Sequence, residues 1–281
     1  MVLIGVNAWT YPKHISVEKA MQHARSVGYD SFELTFEQED LERDHDDLKS
    51  RWRSLKQYAE SLELLTPTVA TALYWRCNMI LENHLEGVTK LFKLQCLMAS
   101  EVDAYVILVV PGIAIASIGY EDHINRVVNA LKRLGNIARD HGVKVGLENV
   151  WNRILAGPLE FKTLLERLEP EIYGLYLDVA NTLPHSLAEH WIRIFRERIF
   201  ALHAKDLDLS SMRFGPPLTG NVNWPEIKRA LEEIGYRGPV TVETPPYPGD
   251  PFKSSEDSIS ALKKIFGFDS KLSIITKTLP F

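Results

Sequence analysis

Eight short apolar runs recur along this 281-residue chain, each followed by a longer stretch with helical spacing. The runs are Leu3–Ala8, Ser31–Leu34, Leu64–Ala70, Ala104–Val110, Lys144–Glu148, Tyr173–Asp178, Ile199–His203 and Val240–Glu243. Several are almost continuously apolar, as parallel strands covered on both faces are. The stretches between them carry helix signals. Ser16 is placed to cap a helix whose inward face holds Ala20, Ala24 and Val27. Leu41–Leu62, Asn83–Ser100 and Ala130–His141 read as helices, the last stopped by Gly142. Asn223 and Trp224 open another that runs to Gly235, with Pro225 suited to its first turn.

Eight units in 281 residues average about 35 residues each, which fits a strand–helix unit of ~30 or more. No Pro-, Gly- or Ser-rich linker divides them. The expectation is an α/β chain forming one (β/α)8 TIM barrel, a single domain over residues 1–281. A doubly wound open sheet is the alternative. Its nucleotide-binding signatures are missing, since no GxGxxG follows the first run and no GxxxxGK[ST] occurs. Residues 267–281 exceed the eight units and form a C-terminal extension. Its apolar residues Leu272, Ile274, Ile275, Leu279 and Phe281 are expected to pack on the barrel or on another copy of the chain in a homo-oligomer.

Charge and cysteine content narrow the function classes. Thirty-seven acidic against 32 basic residues give a net charge of −5, which weighs against a nucleic-acid partner but not against a small anionic substrate. Cys77 and Cys96 lack zinc-finger spacing and read as reduced thiols. The opening MVLIGVNAWTYPK has no basic region before its short apolar run. No stretch approaches the ~20 apolar residues of a membrane span. A cytoplasmic protein with no membrane partner is the expectation.

In a barrel, functional groups collect at the C-terminal ends of the strands. The fifth run ends on Glu148, the sixth on Asp178, the seventh on His203 and the eighth on Glu243. Singly, each reads more readily as a loop cap or salt-bridge partner. Together, three carboxylates on one rim repel one another unless a cation joins them. Oxygen ligands with one nitrogen suit a divalent metal ion: Mn2+ first, with Mg2+, Co2+ or Zn2+ as alternatives.

The segments GLENVWN, YLDVANT and LHAKD, and the pattern GxVxWxxIxxxLxxxGYxGPVTVE over Gly220–Glu243, resemble the xylose-isomerase-like superfamily of sugar isomerases and epimerases. The resemblance covers most of the chain and is densest from Gly142 to Pro246. It implies a TIM barrel and a metal held by Glu148, Asp178, His203 and Glu243. In the ketose 3-epimerase branch, it further implies that Glu148 and Glu243 are the catalytic acid/base pair. Three positions depart from that branch. Asn181 stands where its substrate-contacting His usually lies, Ile154 and Leu155 occupy the neighbourhood of a substrate-orienting Glu, and Thr219-Gly220-Asn221 replaces a Gly-x-Gly.

The expected partner is a small sugar, free or phosphorylated. The expected reaction is isomerisation or epimerisation by proton transfer next to a carbonyl, through an enediolate stabilised by the metal. Asn181, Arg213 and Trp151 are the candidate substrate-binding residues. Arg213 could grip a hydroxyl or phosphate, and Trp9, Trp75 or Trp151 could pack on a sugar face. Asn149 and Asn152 could orient ligands or cap loops, and Lys205 or Asp206 could join a salt bridge at the rim. A dehydratase or hydroxypyruvate-type isomerase would use the same residues. A type IV apurinic endonuclease would need histidines that Asn181 and the third and fourth runs lack. A non-catalytic sugar-binding barrel would not need the Glu148/Glu243 pair.

Overall fold

Burial on both faces selects the apolar runs as interior strands, and parallel order follows from the helix between each pair. The computed structural model describes residues 2–267; residues 268–281, nearly all of the expected extension, lie outside them. The strands are β1 (Leu3–Asn7), β2 (Ser31–Thr35), β3 (Thr68–Ala70), β4 (Val106–Val109), β5 (Lys144–Glu148), β6 (Tyr173–Asp178), β7 (Ile199–Ala204), β8 (Asp206–Asp208), β9 (Arg213–Gly215) and β10 (Pro239–Val242). All but β8 and β9 close into a parallel barrel in the order β1-β10-β7-β6-β5-β4-β3-β2. Flanking it are α1 (Val17–Val27), α2 (Gln38–Leu41), α3 (His45–Ser61), α4 (Leu85–Glu101), α5 (Tyr120–Asp140), α6 (Pro158–Leu165), α7 (Ala188–Phe195), α8 (Trp224–Glu233) and α9 (Lys253–Phe266). The fold is a (β/α)8 TIM barrel. Trp52, Trp191 and Trp224, on α3, α7 and α8, are fully buried. Each removes ~150–250 Å² from water, several kcal/mol at about 25 cal/mol per Å².

Local chemistry explains where elements differ from expectation. The third strand begins at Thr68 rather than Leu64, because Pro67 has no N–H for the ladder; its carbonyl accepts from Tyr105 N and Val106 N instead. The helix expected over Leu41–Leu62 is α3, which starts later, at His45, after the short α2 has ended at Leu41. Asp44 leaves the helical conformation and its side chain accepts from Asp46 N, starting α3 afresh. Ser16 and Asn223 cap as expected, accepting from Lys19 N and Glu226 N. Helix α5 starts at Tyr120, well before Ala130, because its buried face also takes in His123, Val127 and Val128. The antiparallel β8–β9 hairpin lies in what reads as a loop after the seventh run.

One irregularity positions the mouth of the barrel. Along β6 and β7, Leu175 pairs with Ile199 but Tyr176 with Ala201, so Phe200 is an extra residue. This bulge brings Asp178 level with His203; a one-residue slip would turn the imidazole to the other face of the strand. Gly174 makes the bulge feasible. A Cβ there would lie 2.5 Å from the Arg198 carbonyl oxygen and 2.7 Å from the Phe200 ring. Gly174→Ala is therefore expected to cost about 1–3 kcal/mol, read as a lowered urea midpoint. Wild-type stability in that variant would show that the close approach does not govern the register.

Candidate active site

The rim assembles the four residues expected to converge. Glu148 ends β5, Asp178 ends β6, His203 lies one residue before the end of β7, and Glu243 follows β10. One ligand-type atom from each lies within 4.8 Å of all the others. Asp178 and His203 are fully buried and Glu148 nearly so, while the Glu243 side chain keeps 21% of its surface. Solvent thus reaches the cluster from the Glu243 side.

Each side chain is aimed by its neighbours. Asp178 Oδ1 accepts from Ala180 N and Asn181 N, both at 2.9 Å. Its Oδ2 is buried without a well-directed hydrogen bond and faces Lys205 Nζ at 2.6 Å. Asn149 clamps the same peptide: its Oδ1 accepts from Asp178 N and its Nδ2 donates to Asp178 O, both at 2.8 Å. Asn152 holds a loop by donating to the Gly112 carbonyl.

His203 is gripped from two sides. Its Nδ1 lies 3.1 Å from Glu148 Oε1 and 3.8 Å from Glu243 Oε2, and its Nε2 lies 2.7 Å from Glu33 Oε1. Glu33 comes from β2, reaching across the barrel interior, and its charge is well supported. Asn7 Nδ2 donates to Oε1 at 2.6 Å and Tyr176 OH to Oε2 at 2.5 Å. Burial would push the Glu33 pKa up, but attraction to His203 outweighs it and holds the carboxyl below the usual range. Burial would likewise lower His203; the Glu33 charge and the contacts with Glu148 and Glu33 raise it well above the ordinary histidine value. Glu148 goes the other way. Burial, together with the like charges of Glu243 and Asp178, lifts it to about 7 against the pull of His203.

Glu33 and the depth of Lys205 were not foreseen in the sequence. An acid inside the apolar run SFELT is itself a signal, because a buried carboxylate is costly unless partnered. Lys205 does form an ion pair, but a buried one, with Asp178 Oδ2 and Glu243 Oε2. Asp206 forms none among the described residues; it accepts from Leu207 N, Val222 N and Trp224 Nε1, tying the hairpin to α8. Burial would lower the Lys205 pKa, but Asp178, Glu243 and Glu148 together raise it.

The three candidate substrate contacts sit farther out. Trp151 is 37% exposed, donates from Nε1 to the Asn181 carbonyl at 3.0 Å, and packs 5.0 Å from the Phe214 ring of β9. Asn181 Nδ2 is engaged by the Asn149 carbonyl. Arg213 is exposed at the start of β9, paired in register with Asp208; no hydrogen bond or ion pair among the described residues joins it to the cluster. Trp9 is tied to Glu37 by its Nε1, and Trp75 is exposed.

The donor set fits a divalent ion. Four carboxylates (Glu33, Glu148, Asp178, Glu243) face two cationic side chains, His203 and Lys205, leaving an excess of negative charge. Three carboxylate oxygens and one imidazole nitrogen converge, and the buried Asp178 Oδ2 is met by the Lys205 ammonium at 2.6 Å.

A parallel eight-stranded barrel with three acids and a histidine gathered at the C-terminal ends of its strands defines a class of TIM barrels whose mouth carries the functional groups. The chain matches the family described as Xylose isomerase-like TIM barrel over residues 21–265, and it belongs to that family. It is 29% identical over 157 residues to the uncharacterized protein MJ1311 of Methanocaldococcus jannaschii, a match covering 52% of each chain, so about half the length of that relative is spanned. The structure of L-ribulose 3-epimerase superposes with a TM-score of 0.80 at 16% identity, over 95% of both chains. The 3-keto-D-glucoside 4-epimerase from E. coli gives 0.75 at 16%, over 94% of this chain and all (100%) of that one. At such identities the likeness establishes the fold. No helix among the described residues is long and apolar enough to cross a membrane.

Removing Glu33 would leave His203, Asn7 and Tyr176 without their common partner. Glu33→Ala is expected to lower the unfolding free energy by about 3–5 kcal/mol, and Glu33→Gln, which keeps an acceptor oxygen, by less. Chemical denaturation of the two variants checks this; equal, near-zero losses would remove Glu33 from the support of His203.

Proposed function

We propose that this protein is a divalent-metal-dependent sugar epimerase or isomerase that moves a proton at a carbon next to a carbonyl. The observation that carries the reading is the placement of two glutamates, Glu148 on β5 and Glu243 after β10, on either side of Asp178 and His203. Two intervening strands separate them, so their carboxylates can meet a small sugar from different sides. The names of the superposable epimerases support the same reaction class.

Glu148, Asp178, His203 and Glu243 are the residues that would hold the ion. When bound, a divalent cation supplies Lewis-acid polarisation of a carbonyl and its neighbouring hydroxyl. The chain's own groups move the protons. One glutamate, ionised, takes the proton from the carbon; the electron pair passes to the carbonyl oxygen, giving an enediolate. The other, protonated, returns a proton to the opposite face, and both then re-equilibrate with solvent. A carboxyl lifted to about 7, as at Glu148, is matched to that work near neutrality. Trp151 and Phe214 form an aromatic wall on which the C–H face of a sugar can pack, with the Asn181 carbonyl fixing the Trp151 ring. Free sugars suit this mouth better than sugar phosphates. The Ser210 and Ser211 hydroxyls beside Arg213 already donate to the Asp208 carboxylate, which repels a second anion.

Turnover of a panel of ketoses in D2O tests the mechanism. Solvent deuterium is expected at the inverted carbon, with Glu148→Gln and Glu243→Gln each slowed at least ~100-fold. Asp178→Asn is expected to weaken metal binding while the fold survives. Absence of label, with either Gln variant near wild-type activity, would leave the two glutamates without their proton-transfer role. Full activity in demonstrably metal-free protein would end the metal-dependent reading.

A further inference from the structure

Lys205 is two residues beyond His203 and almost fully buried. A solvated rim lysine has no reason to be so. An ammonium withdrawn from water must be paired, and its partners are two of the four ligand-type carboxylates. It touches Asp178 through Oδ2, at 2.6 Å, and Glu243 through Oε2. Asp178 has no second oxygen to offer, since Oδ1 is held by two backbone N–H groups. Glu243 Oε2 is also the oxygen that faces His203 Nδ1. The ammonium and a divalent ion held by these residues therefore draw on the same two carboxylates. Two cations crowded onto them, in a mouth largely shut off from water, repel strongly.

We infer that Lys205 is an internal counter-cation that exchanges places with the divalent ion. The inference rests on the metal reading above and adds a competitor that reading lacks. Without the ion, Lys205 neutralises Asp178 and Glu243 and keeps the acidic mouth together. When the ion enters, the ammonium leaves along its flexible four-carbon stem. The Phe214 ring marks the way out, with its centroid 4.6 Å from Nζ and its other neighbour the half-exposed Trp151. That exit delivers a hydrogen-bond donor to the aromatic wall, where an oxygen of a bound polyol can meet it.

Calorimetric titration of the purified chain with Mn2+ tests the exchange, comparing wild type with Lys205→Met and Lys205→Gln. Both neutral variants are expected to bind Mn2+ at least ~10-fold more tightly, a magnitude usual for residues flanking a metal site. Their metal-free melting temperatures should fall below wild type and recover on Mn2+ addition. Unchanged or weaker binding in both variants, with wild type binding normally, overturns the inference and leaves the metal reading standing. Binding by the variants but not by wild type would make Lys205 a permanent occupant rather than an exchanging one, and overturns both the inference and the metal reading. Binding by none overturns both. A measurement on wild type alone guards against a variant that fails to fold. Acylation of Lys205 by an amine-reactive ester, followed by peptide mass spectrometry, should rise when Mn2+ is added, and unchanged protection overturns the exchange.

Discussion

A fully buried imidazole gripped by carboxylates from different walls of the barrel is the interaction on which the mouth depends. His203 has no access to water, so its ring nitrogens are partnered by Glu33 from β2 and Glu148 from β5. Those partners must arrive within hydrogen-bonding distance, which demands a closed barrel with fixed register. The bulge at Phe200 and the bare Cα of Gly174 set the register of β7 against β6. Asn7 and Tyr176, from β1 and β6, complete the shell of Glu33. Five residues from five strands are thereby coupled, so an error in one strand disturbs the partners of the rest.

The parts of the site that were legible in the sequence share one property: each is a polar residue closing an apolar run. Glu148, Asp178 and Glu243 stand out against the strands they terminate, and His203 against FAL before it. Glu33 closes nothing; it sits within its run, where only the physical oddity of a charge among apolar neighbours marks it. Lys205 and Asp206 look alike as a charged pair after a strand. Their fates differ because one side chain turns into the barrel mouth and the other meets the backbone of a hairpin that no local pattern announces. The late start of α3 has the same origin: Asp44 competes locally with the helix, and apolar spacing is blind to that competition.

Fold and site carry different weights in the functional reading. The superposition with sugar epimerases extends over nearly the whole chain, yet at 16% identity it speaks for the scaffold. The chemistry has to come from atoms. Three convergent carboxylate oxygens and one imidazole nitrogen are where a reading of it begins. The aromatic wall of Trp151 and Phe214 belongs partly to the β8–β9 hairpin, an addition to the barrel; under the proposed function, substrate choice would lie where this scaffold is easiest to vary.

The two cationic side chains divide the mouth into a fixed half and an exchangeable half. His203 is locked by partners on both ring nitrogens, and Glu33 cannot retreat because its own oxygens are held by Asn7 and Tyr176. Lys205 meets its carboxylates at the open side, where Glu243 keeps solvent contact and where its stem has an aromatic surface to slide along. The fixed half holds its acids in place through the contacts on both His203 ring nitrogens. Positive charge on the open half must be replaceable, because any cation or substrate has to enter there. The closed side of the barrel thus supplies geometry and the open side supplies exchange, and the boundary between them runs through Asp178, with Oδ1 anchored to backbone and Oδ2 turned toward the mouth.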